Sequence, residues 1–160
     1  MLNITGQNFI AGQRSSAGSK FVLSYDAATD EALPYQFAQA TPEEIDQAAQ
    51  AAALAYPAFR QTTPEQRAVF LETIASEIDA LDDQFIATVC QETALPEARI
   101  RGERGRTTGQ LRLFAQVLRR GDYLGARIDL ALPERQPLPR PYLRQYKIGV
   151  GPVAVFGASN

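Results

Sequence analysis

From Val150 to Phe156 the chain reads Val-Gly-Pro-Val-Ala-Val-Phe, a run with no polar side chain. An extended stretch of that kind has apolar groups on both faces. Both faces then need cover, which a parallel sheet flanked by helices provides. Gly157-Ala158-Ser159 follow at once. In a doubly wound fold, the loop at the carboxyl end of such a strand is where dinucleotides bind. The segment predicts an α/β fold. A parallel strand also needs a crossover and neighbours, so a chain that stops at Asn160 is expected to be truncated at the end of its first parallel strand.

The middle of the chain is helical. Thr41-Pro42-Glu43-Glu44 and Thr63-Pro64-Glu65-Gln66 each place threonine at an N-cap, proline at the first helical position and Glu or Gln three residues past the cap. After the first box, Ile45, Ala48, Ala49, Ala52 and Ala55 recur at helical spacing, and Pro57 predicts the end of that helix. After the second, Leu71, Ile74, Ala75 and Ile78 form a stripe predicted to be buried. A third helix is predicted from Asp82 or Asp83, with Phe85, Ile86, Val89, Cys90 and Thr93 on one face and Pro96 closing it. A longer one is predicted over Glu97–Arg120, with Ile100, Thr107, Leu111, Phe114, Ala115 and Leu118 in phase. Gly102, Gly105 and Gly109 each cost such a helix about 1 kcal/mol relative to alanine. The close approach of another helix or strand is the expected reason. Gly121 predicts its terminus.

Strands are predicted on either side. The first forty residues suggest an exposed hairpin-like start: Phe9-Ile10-Ala11-Gly12 running into a turn-rich Arg14–Ser19, an extended Lys20–Tyr25 with Phe21, Leu23 and Tyr25 on one face, a turn at Asp26–Asp30, and a short strand within Leu33–Ala38. Towards the other end, Ile128, Leu130 and Leu132 alternate with Arg127, Asp129 and Ala131. A loop stiffened by Pro133, Pro137, Pro139 and Pro141 leads to a second alternating segment, Tyr142–Lys147, with Tyr142, Arg144 and Tyr146 on one side.

Composition removes whole classes of chemistry. With no histidine and one cysteine, a Ser-His-Asp triad, a Cys-His pair, a His-liganded zinc and a multi-thiolate metal site are all excluded within this chain. No apolar run approaches the roughly 18 to 20 residues that span a bilayer, and the start lacks the pattern of a secretory signal. The lone Cys90 suits a reducing compartment and shares a helical face with Phe85, Ile86 and Val89. It is expected to be a small core residue and not a nucleophile. Charge is divided unevenly. Met1–Ala98 holds 4 basic and 14 acidic residues, net -10, and Arg99–Lys147 holds 12 basic and 4 acidic, net +8. Either the halves pair with each other or with another subunit, or the basic half, with Tyr123, Tyr142 and Tyr146, contacts nucleic acid. Glu103, in the arginine-rich helix, is expected in ion pairs and not as a general base.

Gly151-Pro152-Val153-Ala154-Val155-Phe156-Gly157-Ala158-Ser159-Asn160 resembles the aldehyde dehydrogenase motif that ends in Pro-Trp-Asn and closes the first strand of that family's cofactor-binding domain. Phe9-Ile10-Ala11-Gly12, the capped helix after Thr41, the helix over Thr63–Ala80 and the two strands before the motif follow the same order. Ala158-Ser159 stand where most of the family has Pro-Trp. With Gly102-Glu103-Arg104-Gly105-Arg106-Thr107, this resembles a branch that includes dehydrogenases of 2,5-dioxopentanoate (alpha-ketoglutarate semialdehyde) and of long-chain aldehydes with NADP. The former is favoured.

The resemblance implies an architecture of three parts. Residues 1–124 would form the N-terminal hairpin and helical part of the cofactor-binding domain, 125–147 strands of an oligomerisation sheet, and 148–160 the first strand and loop of an incomplete Rossmann-like domain. It implies oxidation of an aldehyde to an acid through a cysteine thiohemiacetal, with hydride passing to NAD or NADP. Asn160 would donate its side-chain amide to the oxyanion, and losing such a donor typically costs about 2.7 to 4 kcal/mol of barrier. Phe156, Gly157, Ala158 and Ser159 would line the cofactor. The nucleophilic cysteine and the glutamate base would lie beyond Asn160, so the 160-residue chain is expected to be inactive alone. A cytoplasmic homo-oligomer, dimer or tetramer, is implied, with a small aldehyde substrate and no metal, nucleic-acid or membrane partner. A non-catalytic assembly protein built on the same fold is the alternative.

Overall fold

The computed structural model describes residues 3–157. It opens with two antiparallel hairpins. β1 (Asn8–Ile10) pairs with β2 (Gln13–Ser15) across a turn whose central residues, Ala11 and Gly12, both have positive φ. That conformation matches the twist of a two-residue hairpin. β3 (Phe21–Tyr25) pairs with β4 (Ala32–Ala38), with a register shift between Leu23 and Tyr25. Phe21, Leu23 and Tyr25 are exposed, as a hairpin-like start predicts, but β2 occupies Gln13–Ser15, in part where the sequence predicts a turn, because the chain already reverses at Ala11-Gly12.

Four helices follow: α1 (Pro42–Arg60), α2 (Pro64–Asp79), α3 (Asp83–Thr93) and α4 (Glu97–Arg120). Both capping boxes form. Thr41 accepts from the Glu44 amide at 3.2 Å while Glu44 accepts from the Thr41 amide at 2.9 Å, and Thr63 and Gln66 exchange the same bonds at 3.1 and 2.8 Å. Each pair satisfies two amides that a helix start leaves without intrahelical partners.

The core lies where α4 crosses α2 and α3. Ala68 and Ala75 of α2, Ile86 of α3, and Ile100, Thr108 and Ala115 of α4 are buried. Alanines at a helix–helix contact let the backbones approach closely. Arginines of α4 then run down α2 and α3 in reverse order. Arg119 forks between Glu65 (2.8 and 2.9 Å) and Glu72 (2.5 and 2.9 Å), Arg112 meets Asp79 at 2.8 Å, Arg104 donates to the Leu81 carbonyl at 2.8 Å, and Arg101 meets Asp83 at 2.6 Å. The helices are therefore antiparallel neighbours, and the acidic and basic halves of the sequence pair with each other here. Glu103 bridges Arg99 and Arg106, as its surroundings predicted.

Several expectations change. Pro57 does not end α1, which runs on to Arg60. The extra turn is held by the edge contact of Phe59 with Phe70 of α2, 6.4 Å between ring centres, and by the Gln61 amide donating to Ala58 and Phe59. The stripe Ile45, Ala48, Ala49, Ala52, Ala55 is not a core. Ile45 is 60% exposed, and of the stripe only Ala48 is half-buried, because α1 packs on the β1 hairpin at its start and no described helix lies along its length. α3 closes at Ala94 in the left-handed conformation, and Pro96 serves instead as the N-cap position of α4. On α4, Thr108 is buried and Thr107 exposed, because the helical period from Ile100 passes through 104, 108, 111, 115 and 118; Phe114 is half outside it. Gly102, Gly105 and Gly109 meet no neighbour: a Cβ at each finds nothing within 4 Å.

After Gly121, a single 3-10 turn (Asp122–Leu124) leads to β5 (Arg127–Asp129), which pairs antiparallel with β6 (Leu143–Gln145), Ile128 opposite Arg144. The Arg144 guanidinium lies over the Tyr142 ring at 5.2 Å, on the face the alternation assigned to both. Ile128, Leu130, Tyr142, Leu143 and Tyr146 are exposed. The strand expected over Val150–Phe156 is not formed. The segment is irregular, and Val155 and Phe156 are 87% and 92% exposed. Its apolar pattern suits the interior of a sheet, and no described strand stands beside it to complete the ladder.

Candidate functional site

The residues singled out for cofactor and oxyanion lie at or beyond the end of this uncovered segment. Phe156 is exposed, and around Gly157 no atom stands within 4 Å of where a Cβ would be. Ala158, Ser159 and Asn160 lie outside the described residues.

What the structure places is the root of the segment. The Lys147 amide donates to the Leu124 carbonyl at 2.9 Å, and the Tyr56 hydroxyl donates to the Gly149 carbonyl at 2.5 Å. Tyr56 comes from the last turns of α1, one residue before Pro57. Arg67, at the start of α2, donates to the carbonyl and hydroxyl of Thr62 and to the Tyr123 hydroxyl at 3.3 Å. The α1–α2 turn and the 3-10 turn thereby become one block. Between these elements lies an open cleft of roughly 620 Å³, walled by Tyr56, Phe59, Leu118, Tyr123, Leu124, Tyr146 and Ile148. Three cations, Arg60, Arg67 and Lys147, border it, and among the described residues no carboxylate does.

Two further polar centres tie the hairpins to the helices. Glu44, buried in the capping box, also accepts from the Ser15 hydroxyl and from the Ala17 amide at 3.1 Å. The Ser15 hydroxyl, then the Thr41 and Ala17 amides, hold its carboxyl below the ordinary range. Ser24 donates to Glu92 of α3 at 2.6 Å. Cys90 is half-buried on α3 and lines a shallow groove with Ile86, Leu95 and Arg101. Among the described residues, no base is hydrogen-bonded to it that would prepare a thiolate for attack.

Sequence reasoning missed Tyr56 altogether. Its contact spans 93 positions, and nothing local marks it. Glu44 was legible as a capping residue, but its reach to β2 was not, because that depends on where the hairpin lands.

Known proteins share this arrangement. A model of the aldehyde dehydrogenase family matches residues 13–142. The alpha-ketoglutaric semialdehyde dehydrogenase of Acinetobacter baylyi is 57% identical over 155 residues, 97% of this chain and 30% of that protein. Alpha-ketoglutaric semialdehyde dehydrogenase 2 of Azospirillum brasilense is 44% identical over 160 residues, 99% of this chain and 30% of that protein. Among solved structures, a point mutant of betaine aldehyde dehydrogenase from Staphylococcus aureus, in complex with NAD+, superposes with a TM-score of 0.70 at 18% identity, covering 79% of this chain and 26% of that one. At that identity the likeness is one of fold. The chain thus spans about 30% of the length of the curated relatives it matches. The family model matches most of the chain, and the chain belongs to the aldehyde dehydrogenase family.

Proposed function

We propose that this chain is the amino-terminal part of an NAD(P)-dependent aldehyde dehydrogenase acting in the cytoplasm, with 2,5-dioxopentanoate as substrate and 2-oxoglutarate as product. The observation that carries the reading is 57% identity across 97% of the chain to a protein named for that substrate. The exposed run at Val153, Val155 and Phe156 supports the partial character, since an apolar segment of this kind is stable only when covered.

In this reading residues 1–124 carry the helical flank of the cofactor domain, 125–147 the strands of an oligomerisation sheet, and 148–160 the first strand and loop of the cofactor domain. The exposed apolar face of β5 and β6 supports a homo-oligomer, dimer or tetramer, with the hairpin in its interface. Phe156 and Gly157 fit a bound dinucleotide: the ring is free to pack, and the glycine leaves its backbone open on the side where a Cβ would stand. Bound NAD(P) supplies the hydride acceptor. The chain's own contribution is to present Phe156, Gly157, Ala158 and Ser159 along it, and to aim the Asn160 amide at the oxygen that becomes negative. A neutral, fixed donor aimed at developing charge needs little reorganisation at the moment of reaction.

The test is to express the full-length gene product and follow NADH or NADPH formation with 2,5-dioxopentanoate and with long-chain aldehydes. Turnover of the dioxo acid is expected, with Asn160→Ala lowering kcat roughly 100- to 1000-fold. Absence of aldehyde-dependent reduction would sink the reading, and preference for long-chain aldehydes would move it to the other branch. The 160-residue chain alone is expected to give no turnover.

A further inference from the structure

The segment that leads to Asn160 leaves the folded part of the chain through two hydrogen bonds. One is the Lys147 amide to the Leu124 carbonyl, 2.9 Å, and the other the Tyr56 hydroxyl to the Gly149 carbonyl, 2.5 Å. Among hydrogen bonds joining described residues, none lies further along the chain. Val150 is already exposed, Gly151 takes φ +110° at the border of the cleft, and Val153, Val155 and Phe156 follow in solvent. The acceptors and donors that hold this exit belong to one block. Tyr56 sits on the last turns of α1, and Arg67 joins the α1–α2 turn, at Thr62, to Tyr123. Leu124, the other anchor, is the next residue. A chain tethered at a single point can pivot about it. A chain tethered two residues apart to elements that are themselves joined by hydrogen bonds has its direction constrained as well as its position.

We propose that Tyr56 is a positioning residue for the catalytic segment: its hydroxyl, seated on the Gly149 carbonyl, sets the direction in which the backbone leaves Gly149 towards the oxyanion donor. This rests on the functional reading above. Tyr56 touches no reacting atom in this assignment and acts through the backbone that carries Asn160. The oxyanion donor is useful only when aimed at the oxygen in the transition state. A small misdirection therefore lowers kcat and leaves substrate binding nearly untouched.

The test is Tyr56→Phe in the full-length protein, which removes one oxygen and keeps the ring in the cleft, with Tyr25→Phe, on the exposed β3, as the control. Hydrogen exchange at the Lys147 amide reports opening of the exit directly, without any assay of activity. Loss of one neutral hydrogen bond predicts roughly two- to tenfold faster exchange there. A fall in kcat of roughly tenfold is expected with KM for the aldehyde unchanged and the melting temperature of the control. Unchanged exchange at Lys147 overturns the proposal whatever the kinetics. Faster exchange with unchanged kcat also overturns it, leaving Tyr56 a structural tether. A rise in KM matching the loss of kcat/KM overturns it too, by assigning Tyr56 to substrate binding. If the wild-type protein shows no aldehyde-dependent reduction of NAD(P), the functional reading fails and Tyr56's part in catalysis with it. The exchange comparison then still identifies whether the tether exists.

Discussion

At the scale of single residues, two glycines show how one substitution can have opposite signs. A Cβ on Gly6, at φ +63°, falls 1.8 Å from the Gln36 carbonyl oxygen, whereas one on Gly109 meets nothing within 4 Å. Gly109→Ala should stabilise the 160-residue chain by about 1 kcal/mol through helix propensity alone. Gly6→Ala should destabilise it by more than the roughly 1–2 kcal/mol that a left-handed alanine costs before any clash. Denaturant midpoints of the two variants check both. Glu44 provides a pH dependence. Its carboxyl is held below the ordinary 4.5 by the Ser15 hydroxyl and two backbone amides. Its contribution to stability is complete above the unfolded pKa and is lost as pH falls through the lower, folded value. Glu44→Gln should therefore flatten the acid limb of the stability–pH curve below about pH 4.5; an unchanged limb would refute this assignment.

Among elements, α4 carries the argument. Most of its helical stability has to come from the face it packs on α2 and α3, since its glycines weaken it and, among the described residues, nothing packs against them. Arg119 holds the far end, forked between Glu65 and Glu72. Hydrogen bonds from Arg119 are the leading cause of the depressed pKa of both carboxylates. Arg119→Ala should raise both values, measurable by carboxyl NMR titration, and lower the melting temperature by a few degrees. The difference should shrink in molar salt, because exposed pairs are screened. A salt-independent loss would mean that packing of the arginine stem, and not its charge, is what matters. The uncovered length of α1 and the outer face of α4 belong together in this view. Both are surfaces that no other described element covers.

For the whole molecule, the apolar surface left open is the main consequence. Val153, Val155 and Phe156 stand in solvent, as do Ile128, Leu130 and Tyr146 on the hairpin. The 160-residue chain should bind a hydrophobic dye and self-associate. Val155→Asp with Phe156→Ser should reduce dye binding while leaving its melting temperature unchanged. In the full-length protein the same pair should be strongly destabilising, because a charge would then be buried in a sheet interior. Equal effects in both proteins would show that this segment remains uncovered throughout. No helix among the described residues is long and apolar enough to cross a membrane.

What could be read from the residues alone was local. Thr41, Thr63 and Asp82 mark helix starts because capping uses groups three residues apart. The Glu97–Arg120 helix and its left-handed end at Gly121 follow from period and punctuation. The β3 strand follows from alternation, whereas β2 was not legible, and the family follows from the order of motifs. The tertiary structure decided matters that depend on distant partners. α1 outlasts Pro57 because Phe70 lies beside Phe59. The alanine stripe of α1 stays open because no described helix comes to it. The run at 150–156 stays irregular because a parallel strand cannot satisfy its backbone without neighbours. Tyr56 meets Gly149 only because α1, α2 and the 3-10 turn converge on one cleft. Period and capping are written within a few residues of where they act, whereas cover and convergence require two parts of the chain to arrive at one place.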